Sequence, residues 1–288
     1  FSCMCYTTGV SSSTSCISQN GRASRYTEMK LLGAGEISQV VLASDTEAGG
    51  ALVALKKINK RKLNPILRKK LTTEVLILQR LSVLPDSCFL QLFDAFEDDF
   101  NVYLVTEYIP GGELFDLVEQ FPYGVPEVLC SSILRQIFTA VSQLHKLDIA
   151  HLDLKLENIM YNPETEKIKI IDFGFANTTE DKQKEYSGSI HYIAPQLLHK
   201  VPYDGKKADV WSLGVISFAL LAAKFPFDDE NDVTANIFFQ IKRGLITPPP
   251  HFSSNARSFV EKILNPNETS RPTAEEMLVH PFLSQRLV

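Results

Sequence analysis

Between two apolar stretches lies His151-Leu152-Asp153-Leu154-Lys155-Leu156-Glu157-Asn158, two acids, a lysine and an asparagine within the span of one loop. A carboxylate there can accept a proton from a hydroxyl, a lysine can neutralise a transferring phosphoryl group, and an asparagine can ligate a hard cation. Asp153, Lys155 and Asn158 are the candidates for those roles. Fourteen residues beyond Asn158, Ile170-Ile171-Asp172-Phe173-Gly174 places a carboxylate at the end of an apolar run, where hard cations are commonly held. A solvated turn aspartate would explain either segment alone; the two in this order argue for a shared site.

Two weaker signals precede them. Gly33-Ala34-Gly35-Glu36-Ile37-Ser38-Gln39-Val40 falls between two strand-like runs, not between a strand and a helix, which speaks against a dinucleotide fingerprint. Glycines let backbone N–H groups approach phosphates because no Cβ intervenes, although an ordinary hairpin turn fits the pattern equally well. Val53-Ala54-Leu55-Lys56 ends an apolar strand on a lysine, and Glu74 follows on the apolar side of the next helical pattern, between Leu71 and Leu78. A buried lysine needs a carboxylate, and such a pair can aim an ammonium at a ligand's phosphates.

The elements that must carry these residues change character along the chain. Tyr26–Leu32, Val40–Ala43 and Ala51–Leu55 read as strands of a small antiparallel meander. Asn64-Pro65 opens a helix with Leu67, Leu71, Val75 and Leu78 at helical spacing, and Phe89–Phe96 and Val102–Tyr108 read as two further strands. Pro110-Gly111-Gly112 then punctuates the chain. Helical patterns follow at 127–144, 208–223, 252–264 and 273–278. The expectation is an α+β chain of two lobes with a cleft between them: 25–108 as a β-rich N-lobe with one main helix, and 109–288 as a mostly helical C-lobe. Residues 1–24, rich in Ser, Thr and Cys, are expected to be a flexible tail.

With 288 residues, 44% hydrophobic and 22% charged, the chain can bury a sizeable core and is neither disordered nor collagenous. A net charge of −5 supplies no basic field for nucleic acid or an anionic membrane. Five cysteines without a C-x-x-C pair fit reduced thiols better than a disulfide framework, so an intracellular setting, cytoplasmic or nuclear, is expected. No apolar run reaches membrane-spanning length, and a secretory signal is not expected. Phe1 is not an initiator, so the chain is expected to be a fragment.

Taken in order, these segments resemble the eukaryotic protein-kinase catalytic domain over roughly residues 26–283. The resemblance extends to Ala194-Pro195-Gln196, Asp209-Val210-Trp211-Ser212-Leu213-Gly214 and Arg271-Pro272-Thr273. Lys155, two residues after Asp153, resembles the serine/threonine branch. Pro110–Phe115 and His280-Pro281-Phe282-Leu283 resemble the calcium/calmodulin-dependent group, including its death-associated and myosin light chain kinase relatives. The resemblance implies ATP beneath Gly33, Ala34, Gly35 and Val40, with Val40 and Ala54 on adenine and backbone groups of Glu107 and Ile109 at its edge. Thr106 would guard the back of that pocket. Lys56, oriented by Glu74, would hold phosphates, and Asn158 and Asp172 would hold Mg2+. Asp153 would accept the proton of a protein serine or threonine hydroxyl beside Lys155. A nucleotide-binding scaffold without turnover is the alternative; the presence of Lys56, Glu74, Asp153, Asn158 and Asp172 argues against it.

Three positions depart from the family pattern. Leu152 stands where an arginine usually precedes the catalytic aspartate, Gln196 replaces a glutamate that normally pairs with the late arginine, here Arg271, and Ser38 replaces a third loop glycine. Without that arginine, activity is expected not to need phosphorylation of the segment from Asp172 to Gln196; Glu185, near Lys182 and Lys184, supplies fixed charge there. Glu113 and Glu157 are expected to favour substrates with a basic residue upstream of the hydroxyl. Gly188-Ser189 ahead of Ala194-Pro195 suits a protein substrate, and a regulatory protein or segment is expected outside this chain.

Overall fold

The computed structural model describes residues 18–19, 22–84, 87–178, 190–199, 202–229, 231 and 233–284. Expectations that rest on Cys3, Cys5, Cys16, Lys182, Lys184, Glu185, Gly188, Ser189 and the C-terminal Val288 lie outside them. The chain divides into two compact units, Phe1–Asn64 with Phe93–Thr106, and Pro65–Leu92 with Glu107–Val288.

The first unit is built on a sheet. Its strands are β1 (Ser18–Gln19), β2 (Tyr26–Ala34), β3 (Ser38–Asp45), β4 (Ala51–Asn59), β5 (Leu92–Glu97) and β6 (Asn101–Glu107), in the order β1-β5-β6-β4-β3-β2. The pairs β2–β3 and β3–β4 are antiparallel, as the alternation predicts. Val41, Ala43, Val53 and Leu55 point to one face, where they pack with the rings of Tyr26, Phe96 and Tyr103, stacked 6.0 and 4.8 Å apart. Direct opposition of Val40 to Lys56 and of Leu42 to Ala54 puts Val40, Ala54 and Lys56 together on the other face. One face is core and the other carries the candidate ligand residues.

Part of the segment expected as a tail, residues 18–19 and 22–24, is described. Ser18–Gln19 pairs in parallel with β5, taking up backbone groups at that strand's open edge. Arg22–Arg25 forms a 3-10 turn in which Arg22 reaches Asp94 at 3.2 Å and Arg25 grips the buried Asp45 with two nitrogens, at 2.7 and 2.6 Å.

The second unit begins with α1 (Pro65–Leu81) and takes in residues 88–92. The cause is backbone pairing: Leu90 N–H donates to Ile170 O at 3.0 Å, and Ile170 N–H donates to Cys88 O at 2.7 Å. Phe89 accordingly forms a single bridge with Ile170 and packs edge-on to Phe173, so the strand expected from Phe89 starts only at Leu92. Further on come β7 (Gly112–Glu113), α2 (Leu114–Glu119), α3 (Glu127–Lys146), β8 (Ile149–Ala150), β9 (Ile159–Asn162), β10 (Lys167–Ile170), β11 (Asn177–Thr178), α4 (Gly205–Ala222), α5 (Thr234–Arg243), α6 (Ser254–Ile263) and α7 (Ala274–Met277). α4 is apolar nearly all round and almost wholly buried, the pattern of a central helix. α2 and α5 were not anticipated. No helix among the described residues is long and apolar enough to cross a membrane.

Candidate active site

In the sheet unit, the loop from Gly33 to Val40 is the turn between β2 and β3, closed by Gly35 N–H donating to Ser38 O at 2.8 Å. A Cβ built on Gly33 would meet nothing within 4 Å, so the protein's own packing does not demand glycine there. Bare backbone facing open space suits a phosphate-bearing ligand. Across the turn, Lys56 lies opposite Val40. Thr106 is buried on β6 and its hydroxyl donates to Ala54 O at 3.4 Å, which ties the small residue expected behind the adenine to the strand expected beneath it.

In the helical unit, α1 turns Leu71, Val75 and Leu78 inward, and Glu74 is buried among them with only 6% of its surface exposed. Its carboxylate lies close to Gly174: Glu74 Oε2 would be 3.7 Å from a Cβ placed there. The Glu107 side chain accepts from Lys169 Nζ at 2.7 Å and from Gln91 N–H at 2.8 Å. Glu107, one residue before Tyr108 and two before Ile109, is thereby pinned to β10.

The loop from His151 to Asn158 is held by a group outside it. Asp209, on α4 and 1% exposed, accepts from His151 N–H and Leu152 N–H, each at 2.8 Å, and contacts His145 Nε2 at 2.9 Å. Those bonds hold Leu152 at φ +64°, a left-handed conformation a leucine does not adopt unaided. An arginine side chain is absent here, yet the backbone shape persists because the carboxylate of Asp209 binds the backbone itself.

His151 connects the two halves of the chemistry. Its Nδ1 accepts from Asp153 N–H at 3.3 Å, so Nε2 carries the hydrogen and donates to Ile171 O, also at 3.3 Å. Ile171 N–H donates to Asn158 O at 2.9 Å, and the β9–β10 ladder sets Ile159 opposite Ile170. Asn158 and Asp172 therefore emerge at the same end of one hairpin. Asp172 has φ +60°, with Gly174 N–H donating to its Oδ1 at 3.1 Å.

The buried Asp153 carboxylate faces Lys155 Nζ at 3.2 Å and accepts from Asn158 Nδ2 at 2.9 Å; the same amide donates to Asp153 O at 2.8 Å. With its NH2 spent on Asp153, Asn158 turns its carbonyl oxygen to other uses, and a hard cation is the natural one. Among the described residues no cluster of three or more His, Cys, Asp or Glu forms a ready cage.

Glu113 reaches its place through a tight crossing. Gly111 has φ +114°, and a Cβ there would come within 2.2 Å of Tyr161 O, so glycine is obligatory where β7 crosses β9. Burial holds the Glu113 carboxyl above its usual range, and Asp116 and Glu157 push it further while Lys155 opposes them. These acids and Lys155 thus form one cluster beside Asp153. Leu156 N–H donates to the buried Tyr192 hydroxyl at 3.3 Å, so Tyr192 steadies the loop from behind. Asp209, Tyr192 and Lys169 are positioning residues that the sequence reading did not assign. Asp209 stood in a quoted motif, but its partners lie 57 and 58 residues away.

The protein kinase domain model matches residues 26–283. Calcium/calmodulin-dependent protein kinase type 1 of Macrobrachium nipponense is 38% identical over 268 residues, covering 90% of this chain and 75% of that protein. The mitosis inducer protein kinase cdr1 of Schizosaccharomyces pombe is 37% identical over 257 residues, covering 88% of this chain and 41% of the relative. An SNF1-related protein kinase catalytic subunit of Arabidopsis thaliana is 36% identical, and the chain spans 51% of its length. The chain thus belongs to the protein kinase domain family, on its serine/threonine branch.

Proposed function

We propose that this chain transfers the terminal phosphoryl group of ATP to serine or threonine hydroxyls of protein substrates, in an intracellular compartment and with regulation supplied from outside the chain. The observation that carries this reading is the buried Asp153 carboxylate, oriented by Asn158 at 2.9 Å and set beside Lys155 at 3.2 Å. Asp153 takes the hydroxyl proton, and Lys155 offsets charge on the moving phosphoryl. The sheet unit supplies the Gly33–Val40 backbone, the Val40 and Ala54 surface, and Lys56 for the phosphates. The helical unit supplies the buried Glu74, and Asn158 and Asp172 as cation ligands. Bound Mg2+ contributes neutralisation of phosphate charge.

Substrate choice follows from the acid cluster. Glu113 and Glu157 attract a guanidinium through charge-assisted hydrogen bonds, so a basic residue upstream of the hydroxyl is favoured. A peptide array with Mg-ATP tests both reaction and preference. Phosphate should appear on serine and threonine peptides bearing upstream arginine, and Glu113→Ala should weaken that arginine preference by about tenfold, the scale of one charge-assisted bond. Because the Glu113 carboxyl sits above its usual range, its charge is complete well above that raised pKa and is lost as pH falls through it. The preference should therefore fade on acidification sooner than an ordinary carboxylate would allow. No transfer to any peptide would overturn the proposal; an unaltered preference in Glu113→Ala would remove Glu113 alone.

Activity in this reading does not require a phosphate on the segment between Asp172 and Gln196. The residue before Asp153 is Leu152, which cannot clamp a phosphate, and Asp209 holds that backbone directly at 2.8 Å. Phosphatase-treated protein should match untreated protein in turnover; a tenfold loss, about 1.4 kcal/mol, would refute this.

A further inference from the structure

We infer that Lys62 is a positioning residue for the nucleotide loop, acting from behind it. This rests on the proposed ATP reaction and names how the loop is held for it. The β3–β4 ladder runs out at the loop: Ser38 pairs with Ile58, and the last backbone bond is Asn59 N–H to Ile37 O at 3.0 Å. One residue further out, at the tip, the Glu36 carbonyl accepts from Lys62 Nζ at 2.5 Å. Behind the loop is a cavity of about 310 Å³, walled by Glu28, Ile37, Lys57, Asn59, Lys62 and Tyr103 among others. Side-chain packing therefore does not fill the space under the tip. A hydrogen bond across the cavity's edge takes its place.

Lys62 is aimed by a fixed support. It ends a 3-10 turn, Lys60–Lys62, whose first residue is capped by Asn59, with Asn59 Oδ1 accepting from Arg61 N–H at 2.9 Å. The turn is bolted to the β5–β6 connection. Lys60 N–H donates to Phe100 O at 2.9 Å, and Lys60 Nζ reaches Asp98 O at 2.5 Å and Glu97 at 3.1 Å. Anchored this way, the backbone of Lys62 is already ordered where its side chain reaches the Glu36 carbonyl. Holding Glu36 O keeps the loop's peptide planes set before nucleotide arrives, which is preorganisation of the binding backbone.

The full chain is compared as wild type, Lys62→Met and Lys62→Arg. Amide hydrogen exchange at 35–39 is read without nucleotide, and ATP KM, kcat at saturating ATP and Tm are read with it. Lys62→Met should speed loop exchange and raise ATP KM about three- to tenfold, the scale of one charge-assisted bond at an exposed site. Its kcat at saturation should stay within about twofold and its Tm unchanged, because the turn's other bonds remain. Lys62→Arg, which keeps a cationic donor, should recover most of the loss. Unchanged exchange in Lys62→Met overturns the role of Lys62, as does unchanged KM in a wild type that binds Mg-ATP. A wild type that does not bind Mg-ATP overturns the proposed function, and the exchange arm still decides whether Lys62 holds the loop.

Discussion

Asp153→Asn should lower kcat by about 10²- to 10⁴-fold, roughly 3–5 kcal/mol of transition-state stabilisation, and leave Mg-ATP affinity and Tm close to wild type. The substitution keeps the side chain's size in a buried position. An amide carbonyl can still accept from Asn158 Nδ2, now at 2.9 Å from the carboxylate, so the loop need not move. What is lost is the ability to take a proton, together with the charge facing Lys155 at 3.2 Å. Single-turnover phosphoryl transfer reads the first effect, and calorimetric titration with Mg-ATP reads whether binding survives. A parallel loss of ATP affinity would place Asp153 on the nucleotide and not on the hydroxyl.

The asymmetry between what the sequence displays and what it hides follows from where the chemistry needs contact. That Asp153, Lys155, Asn158 and Asp172 come together is legible because they fall within one loop and one strand end of the sequence. The antiparallel meander is legible because its two faces differ: Val41, Ala43, Val53 and Leu55 are core, and their neighbours are not. Asp209 is hidden because a carboxylate that binds the backbone of His151 and Leu152 imposes no requirement on the side chains it serves. The left-handed Leu152 and Asp172 are hidden for a related reason, since neither is the glycine that φ of +64° and +60° would advertise. Phe89 misled by composition: an apolar run looks like a strand, but only backbone pairing with Ile170 decides how it is used. The short α2 gives too few turns for a period to show.

Relocating one charge in the helical unit should reveal what replaced the usual ion pair at Arg271. Arg271 is buried, 1% exposed, and its guanidinium donates to Gln196 Oε1 at 3.3 and 3.2 Å, to Lys207 O at 2.6 Å and to Asn265 O at 3.0 Å. It also lies 5.0 Å over the Trp211 ring. Every one of those acceptors is neutral. Burial accordingly lowers its pKa to about 10, with Glu268 and Asp204 opposing the fall, so the buried charge is held at a cost in stability. Glu268 acts at one remove, its Oε1 accepting from Gln196 Nε2 at 3.2 Å and from Asp204 N–H at 3.0 Å. The amide of Gln196 thus relays between the cation and the carboxylate of Glu268. Glu268→Gln should therefore destabilise the protein by about 1–2 kcal/mol, lowering Tm by about 2–4 °C per kcal/mol. Gln196→Glu alone should change little, because the new carboxylate gains Arg271 but meets Glu268 across a lost hydrogen bond. The double variant moves the charge next to Arg271 without that repulsion, and its Tm should return to wild type or exceed it. The coupling is what matters: if the double variant is as unstable as Glu268→Gln alone, the charge of Glu268 is not what steadies Arg271, and its loss acts only through the bond to Asp204.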